Sequence, residues 1–163
     1  VVDGTNYTFD FNLGGKVDYK GAADLLNDNN KFENGNSAVN ATVYDNKVKL
    51  VIGAINGKQQ YIRYNSAVLS SLNSSDKKIV LFVENDGEAT PFRIRIKQIN
   101  SDVKSEIFIG TLKSGSNEIE LNLSGINFAT YGAIDSADFY FSSEAGDHPE
   151  KTIYLDGIAV YGA

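Results

Sequence analysis

Residues 6–12, Asn-Tyr-Thr-Phe-Asp-Phe-Asn, set Tyr7, Phe9 and Phe11 against Thr8, Asp10 and Asn12. A period of two is that of a strand with one buried face. Further strands are expected at residues 16–20, 37–44, 47–52, 59–65, 78–84, 91–99, 106–112, 118–123, 134–142 and 151–161. Tight turns are marked at Asp45-Asn46, Asn56-Gly57, Asp86-Gly87 and Ser114-Gly115. The pattern predicts hairpins at Asp45-Asn46 and Asn56-Gly57, and pairs residues 106–112 with 118–123. Residues 22–27 make one helical turn, and residues 66–73 fit a loop or a single turn. Residues 27–37, 125–132 and 143–150 read as loops. Ten or eleven short strands without a long helix argue an all-β antiparallel sandwich, a jelly roll, filling residues 1–163 as one domain.

The last strand breaks its own rhythm. Ile153 and Leu155 alternate, then Ile158 and Val160 resume one place out of step at Asp156-Gly157. A slip of one residue turns core side chains outward unless the backbone bulges. Glycine tolerates positive φ and makes such a bulge cheap. The bulge also fixes a carboxylate, Asp156, inside a buried strand, where it needs a partner.

Composition narrows the classes. The 163 residues contain no cysteine, methionine or tryptophan, which removes disulfides, thiolate zinc and a cysteine nucleophile. The formal charge of −6 disfavours nucleic acid and anionic membrane as partners. No apolar run approaches the ~18 residues of a membrane span, and none reads as a signal peptide. The sequence opens on Val1, as a module of a larger or processed protein would. Abundant Asn, Ser, Gly and Tyr resemble exported bacterial β-domains, which places the chain outside the cell.

The candidate chemistry lies on polar strand faces. The chain's three arginines are Arg63, Arg93 and Arg95. On one sheet, the polar positions would assemble Tyr61, Arg63, Arg93, Arg95, Lys97, Asp138 and Tyr140. Arginine offers a planar fork of donors, and tyrosine a ring with a hydroxyl tip. Rings that stack on C–H faces and forks that bind hydroxyls suit sugar. A solvated sheet with Arg–Asp pairs is the alternative. Catalysis has little support. His148, the one histidine, stands in a polar loop, and no nucleophile elbow, phosphate loop or zinc pattern occurs. Glu84, Glu106, Glu118, Glu120, Asp135 and Asp138 leave paired carboxylates open. Should the first and last strands be neighbours, Asp10 or Asn12 meets Asp156. With oxygens from residues 31–38 they would form a cage suited to Ca2+. A hydrogen-bonded carboxylate without metal is the alternative.

Several motifs resemble a family. Residues 153–163, Ile-Tyr-Leu-Asp-Gly-Ile-Ala-Val-Tyr-Gly-Ala, resemble the terminal strand of bacterial β-sandwich carbohydrate-binding modules, family 11 foremost, with families 4, 17 and 22 as relatives. Residues 134–141 resemble that family's preceding strand. Asp10-Phe11-Asn12, residues 16–21 and residues 32–37 resemble segments near its start. The resemblance implies a structural calcium at Asp10, Asn12 and Asp156, although Asn12 replaces a glutamate. It implies a cleft holding one glucan chain, with Tyr19 and Tyr131 as cleft tyrosines and Asp135 and Asp138 as polar groups. Phe141 stands where the family has a cleft tyrosine. The arginines have no full counterpart and would favour acidic or heavily substituted sugars. The expected function is noncatalytic binding of a polysaccharide, β-glucan-like, by a monomeric module of a secreted glycoside hydrolase. The competing expectation is a structural or adhesive domain of a bacterial cell-surface protein, with the Arg/Tyr face as its interface.

Overall fold

A computed structural model describes residues 17–162. The expected strand at residues 6–12, with Asp10 and Asn12, lies outside the described residues. Within them run β1 (Val17–Lys20), α1 (Ala22–Leu25), β2 (Asn30–Asn34), β3 (Val39–Tyr44), β4 (Lys47–Ile52), β5 (Ile55–Lys58) and β6 (Tyr61–Ser66). There follow α2 (Ala67–Ser70), β7 (Asp76–Asn85), β8 (Thr90–Gln98), β9 (Lys104–Leu112), β10 (Gly115–Asn122), α3 (Phe128–Tyr131), β11 (Ile134–Tyr140), β12 (Gly146–His148) and β13 (Lys151–Gly162). One sheet has the order β10-β7-β13-β4-β3, with β1 added to β13. The other is β2-β6-β11-β8-β9, and β12 pairs with β5 in a small ribbon. All pairings are antiparallel, as the sandwich reading expected.

The period of two sends alternate side chains into one core. Val48, Leu50, Ile52, Ile79, Leu81, Val83, Ile153, Leu155 and Ile158 come from the first sheet. Ile62, Tyr64, Phe92, Ile94, Ile96, Phe139 and Phe141 come from the second. Each large apolar side chain so enclosed contributes about 1.5–3 kcal/mol. Phe141 packs on Phe92 with ring centroids 5.4 Å apart, which places it in the core and not on a cleft surface.

Turn signals mark where the chain reverses but not which sheet receives it. Asp45 and Asn46 both take positive φ, 51° and 63°, and close the β3–β4 hairpin as expected. The other expected pairings are corrected. Residues 53–60 cross from β4 in one sheet to β6 in the other, so Asn56-Gly57 makes no hairpin between them. Instead β5 pairs with β12, which turns part of the expected 143–150 loop into strand. Likewise β7 and β8 lie in different sheets, as do β9 and β10. The pairs are β7 with β10 and β8 with β9. This wrapping of one strand pair around another is the jelly-roll arrangement. The expected 27–37 loop contains β2, whose Phe32 stacks on Tyr64 at 4.2 Å.

The slip in β13 is a bulge. Leu155 faces Val83 and Gly157 faces Phe82, leaving Asp156 as the extra residue. Ile158 thereby stays in the main core, while Ala159 and Tyr161 join Val80 and Phe82 in a second cluster. The reason for glycine differs from the expected one. Positive φ belongs to Gly57, Gly115 and Gly132, not to Gly157. At Gly157 a Cβ would stand 2.3 Å from Tyr19 Oη and 2.5 Å from Cζ. Glycine is there to admit the Tyr19 ring, whose hydroxyl donates to the Asp156 carbonyl at 3.0 Å.

Candidate ligand-binding face

The outer face of the five-stranded sheet is built from the positions that alternate with core residues. Register aligns Glu33, Arg63, Asp138, Arg95 and Glu106 in one row across β2, β6, β11, β8 and β9. The row on one side holds Tyr61, Tyr140, Arg93 and Ile109. The row on the other holds Lys31, Asn65, Ser136, Lys97 and Lys104. Six of the nine expected ligand-binding residues therefore share two adjacent rows: Tyr61, Arg63, Arg93, Arg95, Asp138 and Tyr140. Lys97 joins them in the third.

Their electrostatics are organised around Asp138, whose side chain is 2% exposed. A carboxylate so enclosed needs paired, hydrogen-bonded partners. Arg63 donates to it from Nε at 2.8 Å and from Nη2 at 3.3 Å, a two-pronged contact. The Lys104 ammonium reaches it from β9. The hydrogen bond to Asp138 raises the Arg63 pKa. Burial pulls Lys104 down, but its hydrogen bond to Asp138 and that charge outweigh burial and raise it. Arg93 Nε and Arg95 Nε stand 3.2 and 3.8 Å from Glu106 Oε1. Arg93 Nη1 also donates to the Ser143 carbonyl at 3.3 Å.

The tyrosines do not present open rings. Tyr61 and Tyr140 stack on each other at 4.8 Å. The Arg93 and Arg95 guanidiniums lie 5.2 and 4.9 Å from the centre of the Tyr140 ring, and Lys104 Nζ lies 5.1 Å from that of Tyr61. Tyr140 is buried beneath them. Cation–π contacts hold this layer together. The side chains of Arg63, Arg95, Lys97 and Lys104 are each about one-third exposed beside them.

Three expected residues fall elsewhere. Tyr19 sits on β1 in the other sheet, packed near Phe82 at 6.3 Å. The Tyr131 carbonyl accepts from Asn100 N at 2.9 Å. Asn100 lies roughly 20 Å beyond Arg93 along an extended chain, so Tyr131 stands far from Tyr140. Asp135 is exposed where the β11 register shifts, 4.0 Å from Lys97 Nζ. It borders a groove of about 380 Å³ that Lys31, Glu33, Asn65 and Ser70 also line. The face thus continues into this groove at one end.

Asp156 belongs to the six-stranded sheet. Its Oδ1 lies 3.7 Å from Lys47 Nζ, and Lys47 bonds Glu84 at 2.7 Å. The hydrogen bond to Glu84 raises the Lys47 pKa. The oxygen donors expected at Asp10, Asn12 and Asp156 suit a hard ion in kind. Any ion there shares Asp156 with an ammonium. Among the described residues, no three His, Asp or Glu groups cluster to hold a metal. His148 lies in β12, with Nε2 3.0 Å from the Glu144 carbonyl.

Reading the sequence alone missed Lys104 and Glu106 as members of the face. The β8–β9 register shifts between Ile94 and Arg95, so Ile107 is extra. Glu106 then faces out while Phe108 packs on the core. Residues 105–110, Ser-Glu-Ile-Phe-Ile-Gly, show no alternation that could reveal this.

No family model and no curated protein matches the sequence. Solved structures do match in fold. A family 11 carbohydrate-binding module from Clostridium thermocellum, in complex with a β-1,3-1,4-mixed-linked tetrasaccharide, superposes with TM-score 0.62 at 16% identity. The match covers 91% of this chain and 96% of that one. A family 29 carbohydrate-binding module gives TM-score 0.59 at 13% identity over 90% and 89% of the two chains. A mutant of a family 29 module complexed with cellulohexaose gives 0.59 at 14% over 89% and 91%. The chain has the β-sandwich fold of carbohydrate-binding modules and resembles family 11 among them.

Proposed function

We propose that this chain is a noncatalytic module that binds a polysaccharide of β-glucan type along the outer face of its five-stranded sheet. One observation carries the reading. Arg63, Arg93, Arg95, Asp138, Tyr61 and Tyr140 occupy two neighbouring rows of one sheet, in a fold shared with modules solved in complex with a mixed-linked tetrasaccharide and with cellulohexaose. Arg95 supplies the accessible donor fork, and Asp138 holds Arg63 and Lys104 in place beside it. In this reading the module is monomeric, secreted and tethered to a glycoside hydrolase. Its benefit is effective concentration at the substrate. Affinity electrophoresis against glucan, mannan, xylan and pectin tests the binding. We expect retardation by at least a glucan, lost in Arg95→Ala while circular dichroism and melting are unchanged. No retardation by any of the four would end the reading.

The reading also keeps a structural calcium at Asp10, Asn12 and Asp156. A chelator then lowers the melting temperature, and added Ca2+ restores it. An unchanged melt leaves Asp156 as a hydrogen-bonded anchor. The competing reading, an adhesive domain of a cell surface, has Ile109 in its favour: that side chain is 69% exposed on the same face. Arg95→Ala leaves glycan retardation at zero in both proteins if the face serves a protein contact.

A further inference from the structure

Resting on the polysaccharide-binding reading, the geometry points to a chain that carries carboxylates, a uronate-type polysaccharide, in preference to its neutral counterpart. Three observations converge. First, the sign of the face opposes that of the chain. Its three rows carry six cations, Lys31, Arg63, Arg93, Arg95, Lys97 and Lys104, against the carboxylates of Glu33, Asp138 and Glu106, with Asp135 at the border. The whole chain is at −6. A cationic patch on an acidic protein focuses anionic ligands.

Second, the ring faces a neutral sugar would stack on are occupied. Arg93 and Arg95 cover Tyr140, and Lys104 covers Tyr61. A neutral chain must displace cations to reach a ring, whereas an acidic chain meets the cations where they stand.

Third, the cations divide into those held by close partners and those left available; Arg93 is held, although its Nε and Nη2 are buried without a hydrogen-bond partner. Arg63 and Lys104 are bonded to Asp138, and Arg93 is enclosed against Glu106 and Ser143. Arg95 lies over the Tyr140 ring, and among the described residues its one ion pair is the 3.8 Å contact to Glu106, with its side chain 32% exposed. Lys97 has only the 4.0 Å contact to Asp135, at 37%. They are two positions apart on β8 and share one face, about 7 Å from each other along the strand. Arginine's planar fork takes a carboxylate through two parallel hydrogen bonds, and the ammonium adds a point charge beside it.

The test pairs two polymers of one linkage: a soluble β-1,4-glucan and the same backbone oxidised to the carboxylate at C6. Calorimetry and affinity electrophoresis at low salt should show the oxidised chain bound about tenfold more tightly, or ~1.4 kcal/mol. Sodium chloride at about 0.5 M should erase that advantage, because exposed charges are screened. Arg95→Gln and Lys97→Gln should each lower affinity for the oxidised chain severalfold. Lys113→Gln, off the face, should not. Equal or tighter binding of the neutral glucan overturns the uronate preference and leaves the module reading standing. So does a preference for the oxidised chain that survives in the Arg95→Gln/Lys97→Gln double variant. Absence of binding to both polymers overturns the two together.

Discussion

Gly157 and Tyr19 act as a pair. The glycine leaves the space that the ring fills, and the ring returns a hydrogen bond to the bulged Asp156 carbonyl. Gly157→Ala puts a methyl group within 2.5 Å of the Tyr19 ring. It should cost about 1–3 kcal/mol in denaturant unfolding. In a Tyr19→Ala background the same change should cost clearly less, since the two sites are coupled. Tyr64 makes a second residue-scale test. Burial raises its hydroxyl pKa to about 12, and the hydroxyl donates to the Leu25 carbonyl at 2.8 Å. The unfolded chain loses this proton near pH 10 and the folded chain only near 12. Stability is therefore whole below pH 10 and falls as pH rises through 12, by up to ~3 kcal/mol. Tyr64→Phe should cost about 1 kcal/mol at pH 7 through the lost hydrogen bond. It should also flatten the alkaline decline seen in melting temperature against pH.

At the scale of elements, the β3–β4 turn is the clearest local determinant. Asp45 and Asn46 both need positive φ, which a β-branched residue resists. Asn46→Val should destabilise by about 1–2 kcal/mol, read as a lower urea midpoint with an unchanged slope. This turn was legible in the sequence because its two residues are intrinsic to the conformation. The same holds for the β13 bulge, where the broken period of Ile153, Leu155, Ile158 and Val160 shows directly. The partners of β7 to β10 were not legible. A turn at Asp86-Gly87 or Ser114-Gly115 serves a hairpin and a crossing between sheets equally well. Nor was β2, since Phe32 is the only apolar residue among its five. The common face of Tyr61, Arg63, Arg93, Arg95, Asp138 and Tyr140 was legible because β6, β8 and β11 alternate cleanly. That of Glu106 and Lys104 was not, because Ile107 bulges within an unbroken apolar run. Tyr19 falls elsewhere for a different reason: it was placed by resemblance to a cleft tyrosine, and a motif likeness does not say to which sheet β1 belongs.

For the whole molecule, the organising strand is β13. It pairs with β7 along one side and with β4 and β1 in succession along the other. Removing residues 151–162 strips a strand from between β7 and β4 and bares long apolar edges. The truncated chain should be insoluble, while trimming β12 alone should leave a soluble fold, both measured as the soluble fraction after expression. The position of β13 in the chain then sets a schedule for biosynthesis. The centre of the six-stranded sheet is the last of the described strands to leave the ribosome. Until it does, β7 and β10 can form a two-stranded pair and β3 and β4 another, but nothing joins them. A nascent chain in that state displays unfinished sheet edges throughout its own synthesis. Slowing translation should therefore lower the yield of folded protein, not raise it.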